Sequence, residues 1–531
     1  MSHQPLTLTV ITDTHYFSPK IGTEGSAYDT ANSRSQKLLA QSAPLLEAAF
    51  TQIAADKRTD IVLIAGDVTN DGELCSHMEF IELLRSLRAR GKRLFVITAT
   101  HDYDERGTVN GYRGDEIIRI PSVKRHQLFE MYREFGPDAA LSVHRESMSY
   151  AAQLAPGYRL LALNDDGPFV PEQRAWIEAQ TREAHDAGEF IFAMTHHPVI
   201  APSPMYELIG KGDIDEEHRA FAAYLADLGI PLIFTGHTHT HNIGRGQSPR
   251  GNVLYAVSTS SLVGYPAAMR IVTLNPAAGE VRIQSELIRE SASFDLGGKT
   301  LQEYLEAHLT GVIRDMIFTA AEDVDALAYK AIAISIPPRT IYRHGWFIKP
   351  LARRLCRLKV KTAGRWTRRE TGLRPADYAD IADELVVNHV IQVVLALFSG
   401  SGDFPPDGAY CKITVGMLNI IDSILDALHI DLGKLIKVRP TVRELIEPLL
   451  YPAGIPSYDA VLPLYPFLPE GESREALPPP PAPDTVKPSR KGKGILCAAA
   501  VVGLLGLPVW VPVVCGSYLR HRIKYGKKMR G

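Results

Sequence analysis

Over the first half of the chain, short apolar runs alternate with stretches in which apolar residues recur every three or four positions. The runs LTLTVI, IVLIAG, LFVITA, FIFAMT and PLIFTG have the length and composition of strands. The segments SAPLLEAAFTQIAAD, MEFIELLRSLRARG, PEQRAWIEAQTREAHDAG and HRAFAAYLADLG between them have the helical period. Such alternation predicts a parallel or mixed sheet with helices on its faces. From about residue 296 to 465 the pattern is mostly helical, as in LQEYLEAHLTGVIRDMI, ADELVVNHVIQVVLALF and ITVGMLNIIDSILDALHI. Residues 466–493 are Pro-rich and charged and read as a linker without a core. Residues 494–519 then carry no charge over 26 positions. As a helix they would span about 39 Å at ~1.5 Å per residue, enough for a hydrocarbon core of ~30 Å.

Composition adds a charge asymmetry to this picture. The chain of 531 residues is 45% hydrophobic and 22% charged, as expected of a folded chain with more than one domain. Its net charge is −2, yet residues 487–531 hold ten Lys/Arg and no Asp/Glu, which leaves −12 on residues 1–486. Basic clusters flank residues 494–519 on both sides, ending in a basic tail over 520–531, and Pro508 and Pro512 would kink a helix near its middle. A single span and a kinked hairpin both fit, so the C-terminal segment is expected to bind the membrane in one of these forms. The N-terminus lacks a basic, then apolar, leader, and the five cysteines are scattered without disulfide or metal spacing. The expectation is a membrane-associated protein whose catalytic body lies in the cytoplasm. A second basic run, Lys349 to Arg369, holds nine Lys/Arg and Trp366. It reads as a solvated face or as a patch for anionic lipid headgroups; with no nucleic-acid-binding module in view, no nucleic acid is expected.

The candidate chemistry stands at the carboxyl ends of the five apolar runs. The first leads to Asp13 and His15, the second to Asp67, the third to His101 and Asp102. The fourth leads to His196 and His197, the fifth to His237, His239 and His241. Ligands gather beyond the carboxyl ends of parallel strands, so these groups are expected to converge. Mixed imidazole and carboxylate ligands suit divalent Mn, Fe, Co, Ni or Zn rather than Mg or Ca. Six or seven such groups exceed the needs of one ion, and two ions bridged by a carboxylate form a centre that cleaves phosphate esters.

In order and spacing, Asp13-x-His15, the GDVTNDG stretch from Gly66, His101-Asp102, His196-His197-Pro198 and Gly236-His237-Thr238-His239 resemble the calcineurin-like metallophosphoesterases. The stretches LNDDGPFVPEQRAWIEAQ and MTHHPVI are similar to the class III cyclic-nucleotide and glycerophosphodiester phosphodiesterases of that family. The likeness covers about residues 6–285. It implies an α/β/β/α metallophosphoesterase sandwich over residues 1–290, followed by the helical domain. It also implies that Asp13, His15 and His239 bind one metal, that His196 and His237 bind the other, and that Asp67 bridges them. A hydroxide between the ions would attack phosphorus, while His101 contacts the phosphate or protonates the leaving oxygen and Asp102 orients its ring. Asn70, His197 and His241 stand close enough in sequence to support the site.

One position departs from the family pattern. Where the family has Gly-Asn-His-Asp or Gly-Asn-His-Glu, this chain has Ala99-Thr100-His101-Asp102. The Asn amide oxygen normally binds the second metal; Thr100 offers a shorter side chain and a poorer ligand. Either Thr100 still coordinates, directly or through water, or the second ion binds more weakly, or the second site is lost and the chain binds without cleaving. The function expected is a membrane-tethered phosphodiesterase, with a phosphomonoesterase or lipid-pyrophosphate hydrolase as the alternative enzyme. A binding or scaffold protein on the same fold is the non-enzymatic alternative.

Overall fold

Each apolar run becomes a strand because its side chains are buried on both faces, between a second sheet and a layer of helices. The computed structural model describes residues 4–32, 35–167, 169–202, 216–289, 294–332, 338–401, 404–405, 407–427, 443 and 455–477. The strands are β1 (Leu6–Ile11), β2 (Ile61–Ala65), β3 (Arg93–Ile97), β4 (Thr108–Arg113), β5 (Glu116–Pro121), β6 (Ser142–His144), β7 (Ser149–Ala155) and β8 (Tyr158–Ala162). They continue as β9 (Phe190–Met194), β10 (Leu232–Thr235), β11 (Asn242–Gln247), β12 (Val253–Ser258), β13 (Ala268–Asn275), β14 (Glu280–Leu287) and β15 (Ala460–Pro463). One sheet has the order β15-β14-β13-β1-β2-β3, a second β11-β12-β10-β9-β8-β7-β6, and β4-β5 is a separate hairpin. Both sheets are mixed. β1, β2 and β3 are parallel, as are β8, β9, β10 and β12, while the outer strands run antiparallel.

The two sheets pack face to face. Leu8, Val10, Leu63 and Phe95 of the first meet Tyr150, Leu160, Phe192 and Phe234 of the second in one buried cluster. Helices cover the outer faces. α1 (Ser26–Asn32), α2 (Ser42–Ala55), α3 (Leu74–Ala89) and α4 (Arg125–Tyr132) precede β6, and the last three bury Leu45, Phe50, Phe80, Leu84 and Leu128 against the first sheet. α5 (Pro171–Asp186) and α6 (Glu216–Asp227) bury Ile177, Phe221 and Leu225 against the second. The result is the α/β/β/α sandwich that the family resemblance implies, and it contains the mixed sheets with helices on their outer faces that the alternating pattern predicts.

The helical segment comprises α7 (Leu301–Glu322), α8 (Val324–Ile332), α9 (Pro338–Leu355), α10 (Val360–Thr371), α11 (Val386–Ser399) and α12 (Ala409–Ala427). Thr300 starts α7 by accepting from the Glu303 amide, while the Glu303 carboxylate accepts from the Thr300 amide, so two otherwise orphaned donors are satisfied. Along α7, Leu301 and Leu305 join the core beneath the first sheet. One to two turns on, Leu309 and Ile313 pack on Ile391 and Leu395 of α11. This helix thereby fastens the helical segment to the sandwich.

Two boundaries differ from the sequence pattern. The helical reading does not extend to residue 465, because Ala460–Pro463 pair antiparallel with β14 and complete the first sheet. The helices are therefore an insertion between two neighbouring strands of one sheet. The start of the Pro-rich linker is also docked: the Leu468 amide donates to Asn252 Oδ1 at 2.9 Å, the Leu477 amide donates to Gln247 Oε1 at 2.8 Å, and the Phe467 ring stacks on His185. The polar side chains that fix these residues lie over 200 positions upstream, so composition alone could not reveal them. Residues 478–531, with the hydrophobic stretch 494–519, the basic tail, Cys497 and Cys515, lie outside the described residues. Among the described residues no helix is long and apolar enough to cross a membrane.

Arg270 holds the returning strand in place. It is fully buried, with Nη1 donating to the Ser457 and Tyr458 carbonyls at 2.7 and 2.8 Å and Nη2 donating to the Ser258 carbonyl at 3.0 Å. Arg270→Met leaves these carbonyls buried and unpaired and is expected to cost about 3 kcal/mol or more. Urea unfolding measures the loss, and hydrogen exchange should show it concentrated at residues 455–463. An unchanged midpoint would show that the guanidinium is not what holds the strand.

Candidate metal centre

The parallel strands of both sheets end at one edge of the sandwich, and the residues just beyond them form two triads. Asp13, His15 and His239 make one and Asp67, His196 and His237 the other, with the ligand atoms of each triad within 4.8 Å of one another. Each triad draws on both sheets: Asp13, His15 and Asp67 follow β1 and β2, whereas His196, His237 and His239 follow β9 and β10. In the first triad the Nε2 atoms of His15 and His239 face each other at 3.0 Å, and Asp13 Oδ1 lies 3.2 Å from His239 Nε2. In the second, Asp67 Oδ2 lies 3.0 Å from His196 Nε2, and it is also 3.9 Å from His15 Nε2. The Asp67 carboxylate thus stands between the two groups.

The donor set fits divalent ions. His15 Nδ1 lies 3.2 Å from the Thr69 carbonyl and His196 Nδ1 lies 2.9 Å from the Ala65 carbonyl, so each ring donates outward through Nδ1 and turns Nε2 toward the carboxylates. His196 Nε2 is buried 3.0 Å from Asp67 Oδ2, and the neighbouring carboxylates outweigh burial to raise its pKa to about 10, so that a metal ion would displace a proton there. Burial alone would raise the Asp13 and Asp67 carboxyls, but the surrounding imidazoles outweigh it and hold both well below the usual range. Five of the six residues, Asp13, His15, Asp67, His237 and His239, adopt left-handed φ values between 34° and 66°. Such strain in non-glycine residues persists only where surrounding structure enforces it, and it is concentrated here at the prospective ligands.

Glycines permit the close approach. A Cβ on Gly66 would stand 2.7 Å from His196 Nδ1, and one on Gly236 would stand 2.1 Å from Thr12 Oγ1 and 2.5 Å from Asp13 Oδ2. The glycines of the Gly-Asp and Gly-His-x-His stretches are thus the points where one sheet's loops touch the other's.

The remaining candidates divide. His101 lies at the rim, its side chain 41% exposed. Its backbone N–H donates to Asp67 Oδ1 at 3.1 Å and its Nδ1 donates to the Asn70 carbonyl at 2.5 Å, which leaves Nε2 for a substrate. Asp102 does not orient that ring. Its carboxylate accepts from the Thr69 and Ala99 amides, both at 2.8 Å, and so ties the loops after β2 and β3 together. The ring is fixed instead by a backbone carbonyl, which sequence cannot show. Thr100 is exposed at the start of the same turn. Asn70 has its Oδ1 buried without a partner, while its Nδ2 donates to Asp71 Oδ2. His197 packs its ring on His237 with Nδ1 3.3 Å from Asp165 Oδ2. His241 belongs to neither triad, since Nδ1 accepts from the Ser260 amide and Nε2 meets Ser285 Oγ.

Two contributors escape the sequence reading. Asp165, after β8, accepts from the His196 and His197 amides and so aims the His-His pair. The doubled Asp in LNDDG was its only signal. Lys37 comes from a loop held by the Leu38 amide donating to the Val263 carbonyl at 2.7 Å. Burial lowers its pKa, and the charges of Asp67, Asp71 and Asp13 oppose that shift, so a cation lies within electrostatic reach of both triads. No motif marks it.

Comparison with known proteins follows the same outline. The calcineurin-like phosphoesterase family matches residues 6–241. The chain is similar to a dimetal phosphatase from Danio rerio, at 15% identity over 54% of this chain and 97% of that one, with a TM-score of 0.40. It is also similar to a purple acid phosphatase from yellow lupin (Lupinus luteus) seeds, at 12% identity over 55% and 53%, with a TM-score of 0.35. No curated protein matches it. Residues 6–241 thus carry a calcineurin-like phosphoesterase domain, in line with the resemblance of the strand-end motifs.

Proposed function

We propose that the protein is a membrane-associated phosphodiesterase that uses two divalent metal ions. The observation that carries this reading is the pair of triads, with the Asp67 carboxylate of one lying 3.9 Å from His15 Nε2 of the other and His101 Nε2 left unbonded at the open rim beside them. Two ions held by these residues would supply Lewis acidity, activating water and neutralising phosphoryl charge. The protein's own groups supply the rest. Buried carboxylates and outward-bonded imidazoles keep the ligands in their metal-binding forms. Lys37 adds positive charge for a substrate phosphate. His101 Nε2 stands where a proton can be given to a leaving alkoxide, with the ring held through Nδ1 by Asn70. Diester rather than monoester preference is supported by the likeness of the LNDDGPF and MTHHPVI stretches to the class III phosphodiesterases, the first of which contributes Asp165.

The membrane setting is supported by residues 494–519 and by the basic run. Of that run, Lys359 and Lys361 share the single carboxylate of Asp383, which offsets one of their two charges. Arg365, Arg368 and Arg369 are exposed, on the side of α10 opposite buried Val360, Ala363, Gly364 and Thr367. A face of that kind fits anionic headgroups, with the cytoplasmic leaflet as its partner.

Three measurements test these readings. With Mn, Fe, Co or Zn, the purified protein is expected to hydrolyse bis-(p-nitrophenyl) phosphate faster than p-nitrophenyl phosphate; the reverse order would replace the diester reading with the monoester one. Asp67→Ala is expected to lower turnover by about 10³-fold or more and to reduce bound metal by elemental analysis, since it removes the carboxylate that stands between the two triads. Retained turnover with retained metal would remove Asp67 from the centre. Thr100→Asn is expected to raise affinity for the second metal equivalent in a calorimetric titration, by about tenfold, the worth of one added ligand oxygen at ~1.4 kcal/mol. Unchanged stoichiometry and affinity would show that Thr100 does not limit that site.

A further inference from the structure

Away from the metal centre, the helical insertion encloses a second cavity of about 710 Å³, within the range of small-molecule sites. It lies between α7, the 377–384 turn, α11 and the start of α12. On its inner wall is His389, only 3% exposed, with Nε2 lacking a hydrogen-bond partner. Buried ring nitrogens are normally paired, so an unpaired one lining a cavity marks a place for a ligand atom. The Tyr410 ring stacks on His389 with centroids 4.5 Å apart and planes 15° apart, and Phe404 meets it edge-on at 5.3 Å. Ile381 and Ile391 add apolar wall.

Charge distinguishes among the ligands that would fit. The rim carries the exposed carboxylates of Asp377, which is paired with Arg374, and of Asp380 and Glu384, together with the guanidinium of Arg314. Glu384 also accepts the Tyr410 hydroxyl, which places a carboxylate at the edge of the stacked pair. Burial pushes the His389 imidazole down to a pKa of about 4, so the ring is neutral, and its Nδ1-protonated tautomer would present Nε2 as an acceptor. An anion would meet the Asp380 and Glu384 carboxylates there. A cation would meet carboxylates, aromatic faces and a lone pair.

We propose that this cavity binds a protonated amine with an apolar body. The ammonium lies between the Asp380 and Glu384 carboxylates and the aromatic pair, and donates one N–H to His389 Nε2. The apolar body runs along Ile381, Ile391 and Phe404. The ligand class is opposite in charge to a phosphate ester, so the cavity is a site separate from the metal centre.

Titration of the full-length protein with tryptamine, tryptophol and indole-3-propionate tests the proposal, since the three share one ring system and differ in charge. Tryptamine is expected to bind at least tenfold more tightly than tryptophol, and indole-3-propionate not to bind. Asp380→Asn and Glu384→Gln, both on the exposed rim, should each weaken tryptamine at least tenfold. They should leave tryptophol binding and bis-(p-nitrophenyl) phosphate hydrolysis unchanged, the latter showing that the fold is intact. Absence of tryptamine binding at millimolar concentration, equal affinity for the three compounds, or tryptamine binding indifferent to both rim substitutions would overturn it.

Discussion

Neither sheet of this protein holds a complete triad of candidate metal ligands. Asp13, His15 and Asp67 rise from the first sheet, and His196, His237 and His239 from the second, yet each triad mixes the two. The site therefore depends on the face-to-face packing of the sheets through Leu8, Leu63, Phe95, Phe192 and Phe234 and their neighbours. Nothing in that core touches the chemistry. It sets the register between two groups of strand ends, and a slide of one sheet over the other by a single residue, about 3.3 Å, would exceed any ligand bond.

Convergence of this kind opposes stability locally. Carboxylates and bare ring nitrogens are withdrawn from water, and five of the ligand residues take left-handed backbone angles. The structure answers with groups that contribute no ligand. Asp102 binds the Thr69 and Ala99 amides, Asp165 binds the amides of the His-His pair, and Ser261 donates to the Asp13 carbonyl at 2.7 Å. Each joins neighbouring strand-end loops by satisfying backbone groups. A buried carboxylate taking two amide donors is a rigid strut, since moving either loop would leave a charge or an amide unpaired in a dry interior.

What could be read in the sequence follows from which of these forces leave a local signature. The strand-helix alternation and the ligand pairs do, because side-chain burial imposes period and each strand end presents its residues within two or three positions. So the six candidates were legible as groups at strand ends, and the structure brings Asp13, His15 and His239 together and Asp67, His196 and His237 together. Asp102 was legible as a member of the site and misread in role, because adjacency to His101 suggested contact while the turn directs the two side chains to different partners. Lys37 and the strand at Ala460–Pro463 depend on contacts with Val263 and β14, hundreds of residues away, and leave no local pattern. Thr100 was visible as a departure from the family, and its exposure at the rim accords with a position that has fewer packing constraints than its neighbours.

The insertion of the helices between β14 and β15 links the two halves of the molecule more closely than a domain appended after the sheet would. β15 must pair for the first sheet to have its edge, and the helices must close on themselves for β15 to return. At the other end of the insertion, the Phe398 carbonyl accepts from the His241 amide, and Gly400 approaches so closely that an added Cβ would lie 2.5 Å from the His241 carbonyl. His241 follows His239 by two residues, and its own ring spans from the Ser260 amide to Ser285 of β14. One residue thus joins the ligand loop, the first sheet and the end of α11. Its absence from both triads has a structural reason: both ring nitrogens are committed to this junction. Any motion of α11 relative to the sandwich would have to be absorbed at Thr240, the one residue between the junction and His239, which ties the helical insertion to the geometry of the candidate metal centre.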